Sequence, residues 1–243
     1  MRRLPVIEGI IKRRLLINFR AEPVVVQRLL PASLRPKLHD GCAIVGICLI
    51  RLEQIRPAIA PLLPGISSEN AAHRIAVEWT DDTGPKEGVF IPRRDTGSLL
   101  NAAAGGRIFP GEHHHARFEI EEGLRRIDFK MHSRDGAAIV EILAQQVRSL
   151  PAASCFSSVA ESSAFFQGGC IGYSATCDPV RFDGVRLETA RWQVHALDVL
   201  RVRSTFFEDP DRFPPGSVAF DHGLIMRNIP HRWHSEPDLH MTA

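Results

Sequence analysis

Arg93 and Arg94 stand side by side at the end of an extended run, Gly88-Val89-Phe90-Ile91-Pro92, that reads as a strand. A guanidinium stays protonated and presents a planar fork of donors. An arginine facing a cavity can therefore hold a carboxylate or another oxyanion through paired hydrogen bonds, or stabilise an enolate. Neighbouring residues on a strand point to opposite faces, so only one of the two can look inward. Parity with Val89 and Ile91 assigns that position to Arg93, and Pro92 could hide a bulge that exchanges the pair. The alternative is a pair of structural arginines tied to Asp95 or Glu78. Glu69, in the run Ser68-Glu69-Asn70, could act as general base beside an arginine or simply neutralise it. His73 shares a face with Ile75 and Val77, where a hydrogen-bonded core histidine is commoner than a group doing chemistry. Tyr173, the only tyrosine, could donate a hydrogen bond into a cavity or serve as packing.

Other polar clusters carry less. In Glu112-His113-His114-His115 only His113 and His115 could converge on a strand, and no helical HxxxH or CxxC supplies further ligands, so no metal is expected. Ser154, Ser157, Ser158, Ser162 and Ser163 form a hydroxyl-rich stretch without a G-x-S-x-G context.

The elements that must position these groups are mainly strands. Residues 6–19 suit a first strand, and Pro23 opens a short helix that Pro31 stops. The run CAIVGICLIRL at 42–52 is apolar on both alternating faces, as a strand covered on both sides would be. Residues 72–93 read as a hairpin around Asp81-Asp82-Thr83-Gly84-Pro85, followed by a short helix at 98–104. A meander follows at 114–121, 124–132 and 137–147, then a helix within 154–166 and strands at 170–175, 185–203 and 217–227. The tail from about residue 230 is expected to be poorly ordered. Strand signals recur throughout without a linker or repeat, which predicts a single domain over 1–243. The fold class is α+β, mainly antiparallel β, curled into a closed or nearly closed barrel that removes exposed edges.

Composition excludes several function classes. Thirty basic against 28 acidic residues leave a charge of +2 spread along the chain, so nucleic acid is not an expected partner. No apolar stretch approaches the roughly 18 residues a membrane span needs, and Glu8 and Lys12 interrupt the amino-terminal apolar run, so no membrane is expected and the location reads as cytoplasmic. Five cysteines form an odd set without a CxxC pair, which suits buried free thiols.

The hairpin motif Gly88-Val89-Phe90-Ile91-Pro92-Arg93-Arg94 resembles the acetoacetate decarboxylase strand that ends Phe-Pro-Lys-Lys, whose first lysine forms the Schiff base. VGICLIRL at 45–52, SENAAHR at 68–74, IPRRDTGSLLNAAAGGRIFPGEHHHARF at 91–118 and FPPGSVAFD at 213–221 resemble the uncharacterised YqjF-like family, grouped with those decarboxylases. The resemblance covers nearly the whole chain and implies their barrel. It also loosely assigns Arg20 to the arginine that meets the substrate carboxylate, and Glu69 to the family's acidic residue. Arginine in place of the lysine removes imine chemistry, because a guanidinium cannot shed its proton. What the resemblance then implies is a cavity for a small organic acid or ketone. Arg93 and Glu69 would be its reacting groups, with Arg20, His73, Arg94 and Tyr173 around the ligand. The activity would be of lyase, aldolase-dehydratase or isomerase type, without a cofactor. The alternatives are a ligand-binding protein without chemistry and a structural protein. The resemblance also permits a homo-oligomer.

Overall fold

Long alternating segments become long strands, and glycine or proline ends most of them. The computed structural model describes residues 5–104 and 110–240. In chain order they form β1 (Ile7–Ala21), α1 (Pro23–Gln27), β2 (Arg35–Pro36), β3 (Leu38–His39), β4 (Cys42–Pro57), β5 (Ile66–Asp81), β6 (Gly84–Thr96) and α2 (Leu99–Ala104). Then come β7 (His113–Glu122), β8 (Arg126–Ser133), β9 (Ile139–Val147), α3 (Val159–Gln167), β10 (Ile171–Ala175), β11 (Arg181–Thr189), β12 (His195–Ser204), α4 (Thr205–Glu208) and β13 (Val218–His240). Ser158 caps α3 by accepting a hydrogen bond from the Glu161 amide, the arrangement that satisfies an orphan donor of a first turn.

The strands pair into one mostly antiparallel sheet that returns on itself twice. A wall of β13, β1, β4, β5 and β6 is common to two rings. One ring continues from β6 through β7, β8, β9 and β12 back to β13; the other runs from β6 through β10 and β11 back to β13. The seams are short: β6 meets β7 over Arg94–Thr96, and β12 meets β13 over His195–Leu197. The expected nearly closed antiparallel sheet is thus present, with parallel pairing only where β6 meets β7 and β10.

The first ring is filled by Leu15, Ile17, Ile47, Leu49, Ile75, Phe129, Met131, Ile142 and Ile225, all essentially inaccessible. Each such side chain contributes about 1.5–3 kcal/mol by leaving water. The other face of the wall looks into the second ring. Burial on both faces explains why CAIVGICLIRL carries no polar alternation.

Two expectations need correction. The segment 185–203 is two strands, because Ala190 to Val194 leave the sheet between β11 and β12. The tail beyond Pro230 is strand as far as His240, since residues 231–233 of β13 pair with β1 on one side and β11 on the other. Polar side chains there suit a ribbon whose backbone is satisfied on both edges. No helix among the described residues is long and apolar enough to cross a membrane.

Candidate functional site

A cavity of about 130 Å³ lies in the second ring, among Arg14, Cys48, Asn70, Arg74, Ile91, Arg94 and His113, with Ile50, Leu52, Ile55 and Trp233 on its apolar side. Backbone register explains which arginine enters it. His73 pairs with Arg93 and Ile75 with Phe90, so β6 spends one more residue than β5 over this stretch. That extra residue falls at Pro92, which has no N–H for the ladder. The bulge restores inward orientation to Arg94 after Val89 and Ile91, and turns Arg93 to the face of His73. Parity alone named the wrong member of the pair.

Arg93 is instead an ion-paired arginine. Its Nε and Nη2 donate to the Asp95 carboxylate at 3.0 and 2.8 Å, and Nη2 also reaches Asp135 at 2.9 Å and Ser133 Oγ at 2.6 Å. Among the described residues Arg94 bonds no carboxylate: its Nε and Nη2 both donate to Ser174 Oγ, at 3.0 and 2.8 Å. Burial pushes its guanidinium down to about 10, outweighing the influence of Asp183. Gly111 helps hold this corner. Its φ of 81° is one that L side chains rarely adopt, and a Cβ there would meet Ser174 Cβ at 2.4 Å. The Gly111 carbonyl accepts from His113 Nδ1 at 3.0 Å, which fixes the imidazole proton on Nδ1 and makes Nε2 the basic nitrogen. Burial first, then Arg94, pushes His113 down to about 4, so it is neutral at pH 7.

Two more arginines converge from β1 and β5. Cys48, Ala72 and Arg94 form one row across β4, β5 and β6. Arg14 Nε donates to Cys48 Sγ at 3.1 Å, and the small residues Ala72 and Ala76 leave room for Arg74 between them. Arg74 is 4% exposed; burial lowers its pKa to about 10, with Arg14 adding to the effect. Its Nη2 donates to Asn18 Oδ1. Asn18 Nδ2 in turn faces His222 Nε2 at 3.0 Å, Ser162 Oγ reaches that same nitrogen at 2.7 Å, and His222 Nδ1 meets Asp221 at 2.5 Å. Serine, histidine and aspartate here have the contacts of a hydrolytic triad. Ser162 and His222 are nevertheless inaccessible, packed under Phe156 and Phe166. Their role is to fix a tautomer that accepts from Asn18, and so to hold Arg74.

The remaining expected residues lie elsewhere. Glu69 faces away from the cavity and accepts from Arg13 Nη2 at 2.6 Å and Arg51 Nη1 at 3.4 Å. It does not meet Arg93. His73 is in the core of the first ring, stacked on Phe206 at 4.5 Å with Nε2 3.3 Å from Ser204 Oγ. Tyr173 turns to the same core beside Trp79, while its neighbour Gly172 lines the cavity. Arg20 donates to the Ala153 carbonyl and Asp221, outside the cavity. Arg14, Cys48, Arg74 and His113 were missed as a group. The one signal was an arginine between alanines within an otherwise apolar strand. Among the described residues no three or more His, Cys, Asp or Glu side chains cluster as a metal site would need.

Among the described residues no lysine lines the cavity. Lys37, beneath it, is paired with Glu87 at 2.5 Å and lies 4.2 Å from the centre of the Phe165 ring. Borohydride reduction in the presence of acetoacetate or pyruvate is therefore expected to leave the intact mass unchanged. An adduct mapped to Lys37 would contradict this.

The family is shown by sequence: residues 11–221 match the model of DUF2071, described as an uncharacterised conserved protein, and the chain belongs to that family. No curated protein matches the sequence. Among solved structures, the fold is similar to the enduracididine biosynthesis enzyme MppR complexed with pyruvate, with TM-score 0.59 at 11% identity over 98% of this chain and 90% of that one. An acetoacetate decarboxylase-like enzyme from Sphingomonas wittichii RW1 gives 0.59 at 14% over 98% and 94%. Acetoacetate decarboxylase from Legionella pneumophila gives 0.59 at 12% over 99% and 88%. At such identities the likeness is one of fold, an acetoacetate decarboxylase-like scaffold.

Proposed function

We propose that the second-ring cavity binds a small organic acid bearing a carbonyl, and that Arg94, Arg74 and Arg14 hold its anionic part. The observation that carries this is a contrast between neighbours. Arg13 and Arg93 each bond two carboxylates, Glu69 with Glu122 and Asp95 with Asp135. Arg14 and Arg94, the next residues in the chain, turn the other way and among the described residues contact neutral partners, Cys48 and the Trp192 ring for Arg14 and Ser174 for Arg94. A desolvated guanidinium without a counter-charge is costly, and a bound carboxylate relieves that cost. Among the described residues Asp95 is the one acidic residue along the cavity, and both its oxygens are engaged by Arg93.

The reaction such a site suits is of lyase, aldolase-dehydratase or isomerase type through an enolate rather than an imine. Arginine donors would stabilise the developing oxyanion, and neutral His113 Nε2 would take the proton. A site that only binds its ligand would use the same arginines. Native mass spectrometry of the purified protein, followed by calorimetric titration with short keto acids, tests the reading. A carboxylate-bearing ligand with micromolar to millimolar Kd is the expected result. Failure of every short acid to bind at millimolar concentration would sink it.

A further inference from the structure

We infer that the ligand carries two anionic groups: it is a short dicarboxylate, with two carboxylates bridged by one to three carbons. This rests on the reading above and concerns how many charges the cavity must receive. Three guanidiniums border it, from Arg14, Arg74 and Arg94, and arginine does not deprotonate at any physiological pH. Their protein partners are neutral: a cysteine sulfur and the Trp192 ring for Arg14, an asparagine oxygen and the Phe166 ring for Arg74, and a serine hydroxyl for Arg94. Two donors are buried with no acceptor among the described residues, Arg14 Nη1 and Arg74 Nε. Even if the Cys48 sulfur carried a negative charge, two positive charges would remain. One carboxylate in the Arg94 fork would still leave Arg74 with no acidic group in hydrogen-bond contact among the described residues.

The arrangement is also two-sided. Arg94 is on β6 and Arg14 on β1, three strand positions apart along the wall, which is about 14 Å at the backbone. Arg74 projects from β5 between them. A carboxylate seated in the Arg94 fork would lie near Ser174, whereas Arg14 and Arg74 line the cavity from β1 and β5. A second carboxylate on the same molecule would meet those two side chains. Size limits the bridge: a cavity near 150 Å³ holds a molecule such as benzene, and this one measures about 130 Å³ with one open side. A chain much longer than five carbons would not fit between the two ends.

The test compares acids that differ only in the second carboxylate, by calorimetry on the full chain in low-chloride buffer. The pairs are succinate with butyrate, and 2-oxoglutarate with 2-oxopentanoate. Inorganic phosphate and sulfate serve as controls. Each dicarboxylate is expected to bind at least 30-fold more tightly than its monocarboxylate. In Arg14→Gln that advantage should shrink below about threefold, because the dicarboxylate Kd rises far more than the monocarboxylate Kd. If Arg14→Gln fails to fold, the wild-type ratio decides alone. Monocarboxylates binding within threefold of the dicarboxylates would overturn the inference and leave the carboxylate reading standing. Binding of phosphate or sulfate but no organic acid, or of nothing, would overturn both.

Discussion

Arg94→Ala is expected to weaken ligand binding by about 2–4 kcal/mol, roughly 30- to 1000-fold in Kd, because a buried charge-assisted fork is lost. Its own fold should tolerate the change, since the only protein partner left behind is the Ser174 hydroxyl. Arg94→Lys should recover only part of the affinity, because an ammonium cannot reproduce the planar fork. Arg93→Ala should behave in the opposite way. Asp95 is fully buried and would lose its guanidinium, while Arg93 itself is 12% exposed. Removing one partner of such a pair costs about 3–5 kcal/mol of stability. Affinity measured on the folded fraction should change little. Denaturant melts together with calorimetry separate the two effects. Equal losses of affinity in both variants, or a stability loss confined to Arg94→Ala, would show that the bulge at Pro92 does not direct the pair as described.

This pair also shows how far the sequence could be read. Strand periodicity, turn residues and the helix after Gly97 were legible because they are local. The hairpin, the meander and the short α2 follow from them. The inward arginine was not legible, because one residue inserted at Pro92 reverses every orientation that follows it, and parity cannot count a bulge. Glu69 and His73 were misplaced for a different reason. The wall is buried on both faces, so alternation did not reveal which face held the cavity and which the core. Ala72 and Arg74 face the cavity. The network behind Arg74 joins Asn18, Ser162 and His222 across separations of 60 and 204 residues, and no local pattern encodes such contacts. The tail was misread because its polar residues fit a strand paired on both edges as well as they fit a disordered end.

Acidification is expected to destabilise the protein from about pH 6.5 downward, through its buried histidines and before its depressed carboxylates lose their contribution. His73 is inaccessible, and burial, aided by Arg93 and Arg212, pushes it down to about 3. His231 falls to about 4 through burial and Arg14, and His222 is lowered chiefly by burial despite Asp221. In the unfolded chain each titrates near 6.5. Below that pH the unfolded state binds protons that the folded state refuses, so stability falls as pH falls, by about 1.4 kcal/mol per pH unit for each histidine until its folded pKa is reached. His73 and His231 together give a slope near 2.7 kcal/mol per unit between about pH 6 and 4. Down to pH 4 that removes about 7 kcal/mol, enough to unfold a protein in the lower part of the typical range of about 5–15 kcal/mol. Depressed carboxylates such as Asp135 and Asp221 contribute stability that is complete above their unfolded values and lost only at still lower pH. Glu69, raised by burial, opposes the histidines slightly, because its folded form takes up a proton more readily. Urea melts at pH 7.5, 6.5, 5.5 and 5.0 measure the slope. His73→Gln should reduce it by about 1.4 kcal/mol per pH unit, whatever the variant does to stability at pH 7.5. A stability that stays flat from pH 7 to 5, or a slope unaltered in His73→Gln, would mean that these imidazoles are not held neutral in the folded core.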